Sequence, residues 1–276
     1  MSDIGEKART IFLAVIMTTS VMAAGVAFTG SAAADAPPDS PATDPGNLQV
    51  SLLNESNGAK VTFGVNTTSK TINKTNATNS DVAVGSVNSD FDNTAKAIQF
   101  AIDNATTEYS TVRVGPGIYN SSSDILIDYD GLTLEGPNAG TSGDEHIEDA
   151  AEINGQVIIG ADGAVVDGFT VSPPDPGDGI GEDEAIRVSN DADDVVVQNN
   201  IVEDFARNSG SEFFGVDGIN VFGGNESDAV KNPTVQDNLV QRLQNNVDGG
   251  AAGISVQGNV ENPTVERNVI EDIGQE

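Results

Sequence analysis

The sequence predicts an all-β protein, a right-handed single-stranded parallel β-helix with an N-terminal capping helix, and three observations carry that prediction. First, four stretches share a template of an apolar residue, a corner residue three later and an apolar residue two beyond it. They are Val166/Phe169/Val171, Val197/Asn200/Val202/Phe205, Val235/Asn238/Val240/Leu243 and Val265/Asn268/Ile270/Ile273, the first lacking a fourth place because Pro174 stands there. Second, an Ile-x-Val strand precedes each of the last three: Ile186-Arg187-Val188, Ile219-Asn220-Val221 and Ile254-Ser255-Val256. Third, strands this short cannot bury an apolar face alone. Stacked about 4.8 Å apart, they enclose one core and pair each backbone group with the coils above and below. Leu-rich runs of helical period, which a leucine-rich or helical solenoid needs, are absent; a β-sandwich is the runner-up fold.

Along the chain, residues 1–34 read as a signal peptide. Lys7 and Arg9 form a charged start, Ile11 to Phe28 an uncharged apolar stretch, and Ser31-Ala32-Ala33-Ala34 a small-residue cleavage site before Asp35. The alternative is a membrane anchor, since the stretch is nearly long enough to span; the small-residue ending and the Pro-rich linker after it favour cleavage, leaving no membrane span in the mature chain. Residues 35–90 read as a linker, a hairpin of Leu48–Leu53 and Lys60–Val65 about Asn57-Gly58, and an Asn/Thr-rich flexible neck over 66–80. Asn-x-Ser/Thr sequons stand at Asn54, Asn66, Asn73, Asn76, Asn104, Asn120 and Asn225, and four of them crowd into 54–76, as in a sugar-coated spacer.

The β-helix is expected over 91–276. Ala95, Ile98, Phe100, Ala101 and Ile102 suit a short amphipathic helix, and Thr111–Tyr119, Ile125–Ile127 and Leu132–Gly136 supply the first strands. Corner Asn residues tolerate left-handed backbone and can bond to their stacked neighbours, so Asn200, Asn238 and Asn268 read as a structural ladder. The chain stops at Glu276 as a repeat completes, and the expectation is a helix that is C-terminally incomplete or paired with a partner at its end.

Composition narrows function. With 43 acidic and 12 basic side chains the formal charge is −31, which repels nucleic acid and anionic membrane surfaces. Self-repulsion on that scale is tolerable in concentrated salt, where the Debye length falls to about 3 Å at 1 M. There is no Cys, and Met1, Met17 and Met22 all lie in the leader. The mature chain keeps one His, His146, expected on a solvated loop, so copper, structural zinc, haem and iron–sulfur sites are poorly served.

Two resemblances follow from these residues. The segment from Glu6 to Ala34 is similar to the leader of haloarchaeal surface glycoproteins, which implies an extracellular address. Ala97–Ile102 followed by Val112-Arg113-Val114-Gly115-Pro116-Gly117-Ile118-Tyr119, with the Val-x-x-Asn-x-Val/Ile repeats, resembles the pectin-lyase-like right-handed β-helix proteins over about two thirds of the chain. That superfamily implies a fold that hosts lyases, hydrolases, esterases, adhesins and spikes. It also includes a group associated with copper loading of nitrous oxide reductase, for which this chain lacks the ligands.

For chemistry, Glu184 and Asp217 each stand two residues before an inward Ile of adjacent coils, so they stack on one edge, with Arg187, Asn220 and Ser255 beside them. Paired carboxyls about 5–9.5 Å apart serve glycoside hydrolysis, and a lyase needs Ca²⁺ or Arg and a base. Gly215-Val216-Asp217-Gly218-Ile219 resembles the Asp-Gly-Ile element of polygalacturonases, but the paired Asp and the Gly-His-Gly element of that family are not found. Asp175, Asp178, Glu182 and Asp183 lie in a Gly/Pro loop whose oxygens suit Ca²⁺, though its spacing matches no EF-hand and acidic loops are expected of this composition. Phe213 and Phe214, near Phe222, offer a small aromatic patch for sugar. Three functions remain open: a non-enzymatic surface protein binding polysaccharide or building the cell envelope, a polysaccharide lyase or glycoside hydrolase, and an adhesin or spike.

Overall fold

The computed structural model describes residues 48–54, 56, 59–66, 71–75, 95–121, 123–146, 150–173, 184–189, 191–207, 215–225, 228–245 and 250–274. They form a parallel β-solenoid of three sheets. Sheet 1 stacks Thr111–Val114, Thr133–Glu135, Val165–Asp167, Val196–Gln198, Thr234–Gln236 and Thr264–Glu266. Sheet 2 stacks Gly117–Asn120, Ala151–Asn154, Phe169–Ser172, Ile201–Glu203, Leu239–Asn245 and Val269–Gly274, with Ala206–Arg207 also on Leu239–Asn245. Sheet 3 stacks Ile125–Ile127, Val157–Ile159, Glu184–Val188, Val216–Gly223 and Ala251–Gly258. The chain visits the sheets in that order, coil after coil. A short ladder of Val230–Lys231 on Val260–Glu261 closes part of the return to sheet 1.

The repeat template is the register of the stack. Val166 pairs with Val197, Val197 with Val235 and Val235 with Val265 in sheet 1, while Val171, Val202, Val240 and Ile270 align in sheet 2. Ile186, Ile219 and Ile254 align in sheet 3. Val166, Val171, Val197, Val202, Val240, Ile186 and Ile219 are fully buried, and each such side chain contributes roughly 1.5–3 kcal/mol.

The ladder Asn residues complete the backbone bonding at the corner between sheets 1 and 2. The Phe169 amide donates to Asn200 Oδ1, the Asn200 amide to Asn238 Oδ1 and the Asn238 amide to Asn268 Oδ1, each at 3.0 Å. In return, each Nδ2 donates one coil back, to the carbonyls of Val166, Val197 and Val235. The left-handed residue stands one position earlier than expected, at Gly168, Asn199, Asp237 and Arg267. A left-handed residue reverses the chain so that its successor points inward, which is why Asn200 and Asn238 are buried and Asn268, on the last coil, is half-buried. Gly168 (φ 81°) has a further reason: a Cβ there would lie 2.1 Å from the Ala139 nitrogen.

Each sheet has a covered first edge, which limits edge-to-edge pairing. Helix α1, Lys96–Asp103, buries Ala97, Ile98, Ala101 and Ile102. Its Gln99 side chain donates to the Leu126 carbonyl (3.0 Å) and accepts from the Leu126 amide (2.8 Å), covering sheet 3. Ala95 donates to the Asn120 carbonyl on sheet 2. On sheet 1, Leu48–Asn54 pairs antiparallel with Thr111–Val114, then with Ala59–Asn66, which pairs with Thr71–Thr75. The sheet therefore crosses the boundary placed at residue 91, with Val50 and Leu52 fully buried in the core. The neck expected over 66–80 contains a strand, because the β-branched Thr71 and Ile72 continue the pairing that Ala59–Asn66 offers. At the other end Val256, Val265 and Ile270 are 40%, 47% and 49% exposed.

Replacing Asn238 by Ala should cost roughly 2 kcal/mol or more, because it orphans the buried Asn200 amide at about 1–3 kcal/mol and removes a donor from the Val197 and Gln236 carbonyls, the latter still accepting from the Asn199 amide. Asn262→Gly keeps the left-handed backbone of that position (φ 51°), removes one exposed bond to Asn232 and should cost under about 1 kcal/mol. Urea unfolding in concentrated KCl measures both.

Candidate functional site on the outer face of sheet 3

Three corner triplets begin the last three strands of sheet 3: Glu184-Ala185-Ile186, Asp217-Gly218-Ile219 and Ala252-Gly253-Ile254, stacked in register. The middle residue is small because it faces the core. A Cβ on Gly218 would lie 2.5 Å from Val240 Cγ1, one on Gly253 would lie 2.5 Å from Ile270 Cγ2, and Ala185 is fully buried. Two consecutive inward residues leave the acid before them beside the outer row. That row pairs Leu126 with Ile158, Ile158 with Arg187, Arg187 with Asn220 and Asn220 with Ser255. Phe222 pairs with Gln257 at the next outward position. The structure thus brings together Glu184, Asp217, Arg187, Asn220 and Ser255.

Glu184 is the centre of the cluster. Its Oε1 accepts from Asn220 Nδ2 at 2.8 Å, and its backbone carbonyl accepts from Gln156 Nε2 at 2.8 Å, with Oε2 3.5 Å from the same nitrogen. Arg187 Nη1 lies 3.9 Å from the same Oε2, and the guanidinium sits over the Phe222 ring, 5.6 Å from its centroid. Asp217 Oδ2 accepts from Gln257 Nε2 at 3.3 Å, which also donates to Ser255 Oγ at 2.6 Å. Three buried polar atoms of this cluster have no hydrogen-bond partner: Gln156 Oε1, Arg187 Nε and Asn220 Oδ1. Arg187 differs from the corner cations. Arg113 meets Glu135 at 2.7 Å, Lys231 meets Asp193 at 3.0 Å, Arg242 meets Asp204 at 2.6 Å and Arg267 meets Asp237 at 2.7 Å, each tying two coils. Arg187 instead has its carboxylate, loosely, on its own strand and meets the next coil only through the Phe222 ring. Gln156 and Phe222 complete the cluster. The place of Phe222 after the aligned Val221 was legible in the sequence, whereas Gln156 precedes its strand and carried no signal.

A second polar corner lies outside this face. The loop from Gly136 to His146 runs along the corner of sheets 1 and 2: Gly140 donates to Asp167 Oδ1, Gly143 to the Asp237 carbonyl, and His146 Nε2 meets the Asn199 carbonyl at 2.7 Å. The fit is tight, since a Cβ on Gly143 would lie 2.5 Å from the Asn200 oxygen and the Leu239 nitrogen. The solvated His146 expected from sequence is corrected here: the loop folds back over later coils and half-buries the ring. Because a carbonyl faces Nε2, that nitrogen donates in this contact, and Nδ1 is buried. Desolvation is the main cause that lowers the His146 pKa below its ordinary 6.5, against the opposing pull of the Asn199 and Thr141 backbone and of Asp167 and Asp144.

Of the sequons, Asn54 is 5% exposed and its Oδ1 accepts from the Ser56 amide, because Leu48–Asn54 became a paired strand; a buried Asn cannot take a glycan without unfolding that edge. Asn104 ends helix α1 and donates to the Phe100 carbonyl, while Asn120 and Asn225 are exposed. Asn66 and Asn73 stand on strands, and Asn76 lies outside the described residues. The loop of Asp175, Asp178, Glu182 and Asp183, and the Phe213-Phe214 pair, also lie outside the described residues. Among the described residues no group of three or more His, Cys, Asp or Glu is placed to hold a metal ion, and no helix is long and apolar enough to cross a membrane. A cleft of about 380 Å³ bordered by Asp204, Arg242, Gln244 and Asp272 lies on sheet 2, where Arg242 is already bound by Asp204 and Glu203. No family model, curated protein or solved structure matches this chain.

The lowered pKa of His146 sets a sign. In the window between its folded pKa and 6.5 the unfolded chain binds more protons, so the neutral-state stability, complete above 6.5, falls as pH drops through that window. His146→Gln should lack this component. Urea midpoints measured from pH 7.5 downward should therefore fall more steeply for the parent chain than for the variant.

Proposed function

We propose that this chain is a secreted or cell-surface β-helix of the pectin-lyase-like kind that binds glycan on the outer face of sheet 3 and does not cleave it. The observation that carries this reading is the cluster about Glu184: two amides bonded to its carboxylate and its backbone carbonyl, a guanidinium over an aromatic ring, and three buried polar atoms whose hydrogen-bonding capacity is unused. Such groups bind hydroxyls well, because a ligand that fills them relieves polar atoms otherwise buried without partners. Catalysis fits less well. The Glu184 carboxylate already accepts from the buried Asn220 amide and Asp217 accepts from Gln257, so each carboxyl carries a bond it would have to exchange to act as acid or base.

The surface address rests on the residues before Asp35 and the exposed sequons. The −31 charge suits a saline medium and disfavours nucleic acid. On this reading the β-helix is a rigid platform, and the partner is a polysaccharide of the envelope or surroundings.

The protein purified in concentrated KCl with calcium, incubated with a panel of polysaccharides, should be retained on at least one of them and release neither new reducing ends nor unsaturated products. The double variant Arg187→Ala/Phe222→Ala should lose that retention while keeping the parent's circular dichroism. Turnover that disappears in Asp217→Ala would instead make the chain a lyase or hydrolase.

A further inference from the structure

We propose that the glycan unit seated on this face donates hydrogen bonds and carries no negative charge: a neutral or amino sugar, and not a uronate. The inference rests on the glycan-binding reading above and narrows it. Two of the three unused atoms, Gln156 Oε1 and Asn220 Oδ1, are acceptors, and their side chains are among the least exposed polar groups of the chain, at 3% and 4%. Their orientation is set by Glu184. Asn220 turns Nδ2 toward Oε1 at 2.8 Å, and Gln156 turns Nε2 toward the Glu184 backbone carbonyl at 2.8 Å, with Oε2 at 3.5 Å. Reversing either amide would set its oxygen against a Glu184 oxygen, the carboxylate for Asn220 and the backbone carbonyl for Gln156, so both amide oxygens are held facing away from Glu184.

The remaining donor is Arg187 Nε. The charge of that guanidinium is already shared between Glu184, at 3.9 Å, and the face of Phe222. It can donate one bond to a hydroxyl oxygen but is poorly placed to neutralise a second carboxylate. Asp217 stands in register with Glu184 on the neighbouring coil, which adds a further negative group to the row. A uronate here would face acceptors and like charge, while a hydroxyl or ammonium group would meet two unfilled acceptors. Glu184 is on this account a positioning residue, which acts through the two amides it orients.

The test is equilibrium binding of the intact protein in concentrated KCl to three probes: chitosan oligosaccharides, neutral β-glucan oligosaccharides and oligogalacturonate. At least one of the first two should bind roughly tenfold or more tightly than the uronate, the difference expected of about one hydrogen bond. Asn220→Ala and Gln156→Ala should each weaken the preferred probe by a similar factor with unchanged circular dichroism. Should either variant fail to fold, the order of the probes on the parent protein decides alone. Equal or tighter binding of oligogalacturonate overturns this inference and leaves the glycan-binding reading standing. Absence of binding to every probe and to the wider panel overturns both.

Discussion

The last three coils turn from sheet 1 into sheet 2 at Asn200, Asn238 and Asn268, and these side chains make that turn possible. At such a corner the strands break, leaving an amide and a carbonyl away from water with no partner in the usual ladder. Asn200, Asn238 and Asn268 each supply one acceptor to the amide and one donor to the carbonyl of the coil before. An Ala there could turn but not bond; a Leu could fill the space but would leave both groups orphaned. The bonds also set register, since a slip by one residue would remove every Asn from its partners at once. Sheet 3 inherits that register, and so do Glu184, Asp217, Arg187, Asn220 and Ser255.

Charge is handled at the corners. In a chain with 43 acids and 12 bases, cations at the corners are placed where they bridge coils: Lys231 to Asp193, Arg242 to Asp204 and Glu203, Arg267 to Asp237. These pairs are largely exposed and each contributes at most about 1 kcal/mol. Their use is to relieve repulsion between stacked acids about 4.8 Å apart. Other acids join the ladders as acceptors. Asp130 takes the Asp162 amide, Asp162 takes that of Asp193, and Asp193 takes that of Lys231. Against this pattern Arg187 stands apart, reaching the next coil through the Phe222 ring and not through a carboxylate, and this difference marks the face as a place for something else to bind.

The repeat was legible because its signal is periodic: Val, Asn and Ile recur wherever a stack needs them, and the register reproduces the template. The row from Glu184 to Ser255 was legible for the same reason. What escaped was whatever depends on one copy. The left-handed position sits at Gly168, Asn199, Asp237 and Arg267, four residue types with no shared composition, because the neighbouring Asn and the stack impose the conformation. The loop that carries His146 over later coils is a single insertion whose contacts reach far along the chain. The strand Thr71–Thr75 and the burial of Asn54 follow from pairing onto sheet 1, which a local reading of an Asn/Thr-rich stretch does not reveal. Gln156, just before its strand, drew attention only once its amide was seen beside Glu184.

The claim most directly open to measurement is that side chains, and not water, complete the backbone bonding of the inner corner. Amide hydrogen exchange at Phe169, Asn200 and Asn238 tests it, since each of these N–H groups is donated to the Asn of the following coil. Protection as strong as that of the adjoining strand amides at Val171, Val202 and Val240 is the expected result. Exchange at the rate of an open loop would contradict the ladder, and with it the register on which the outer face of sheet 3 depends.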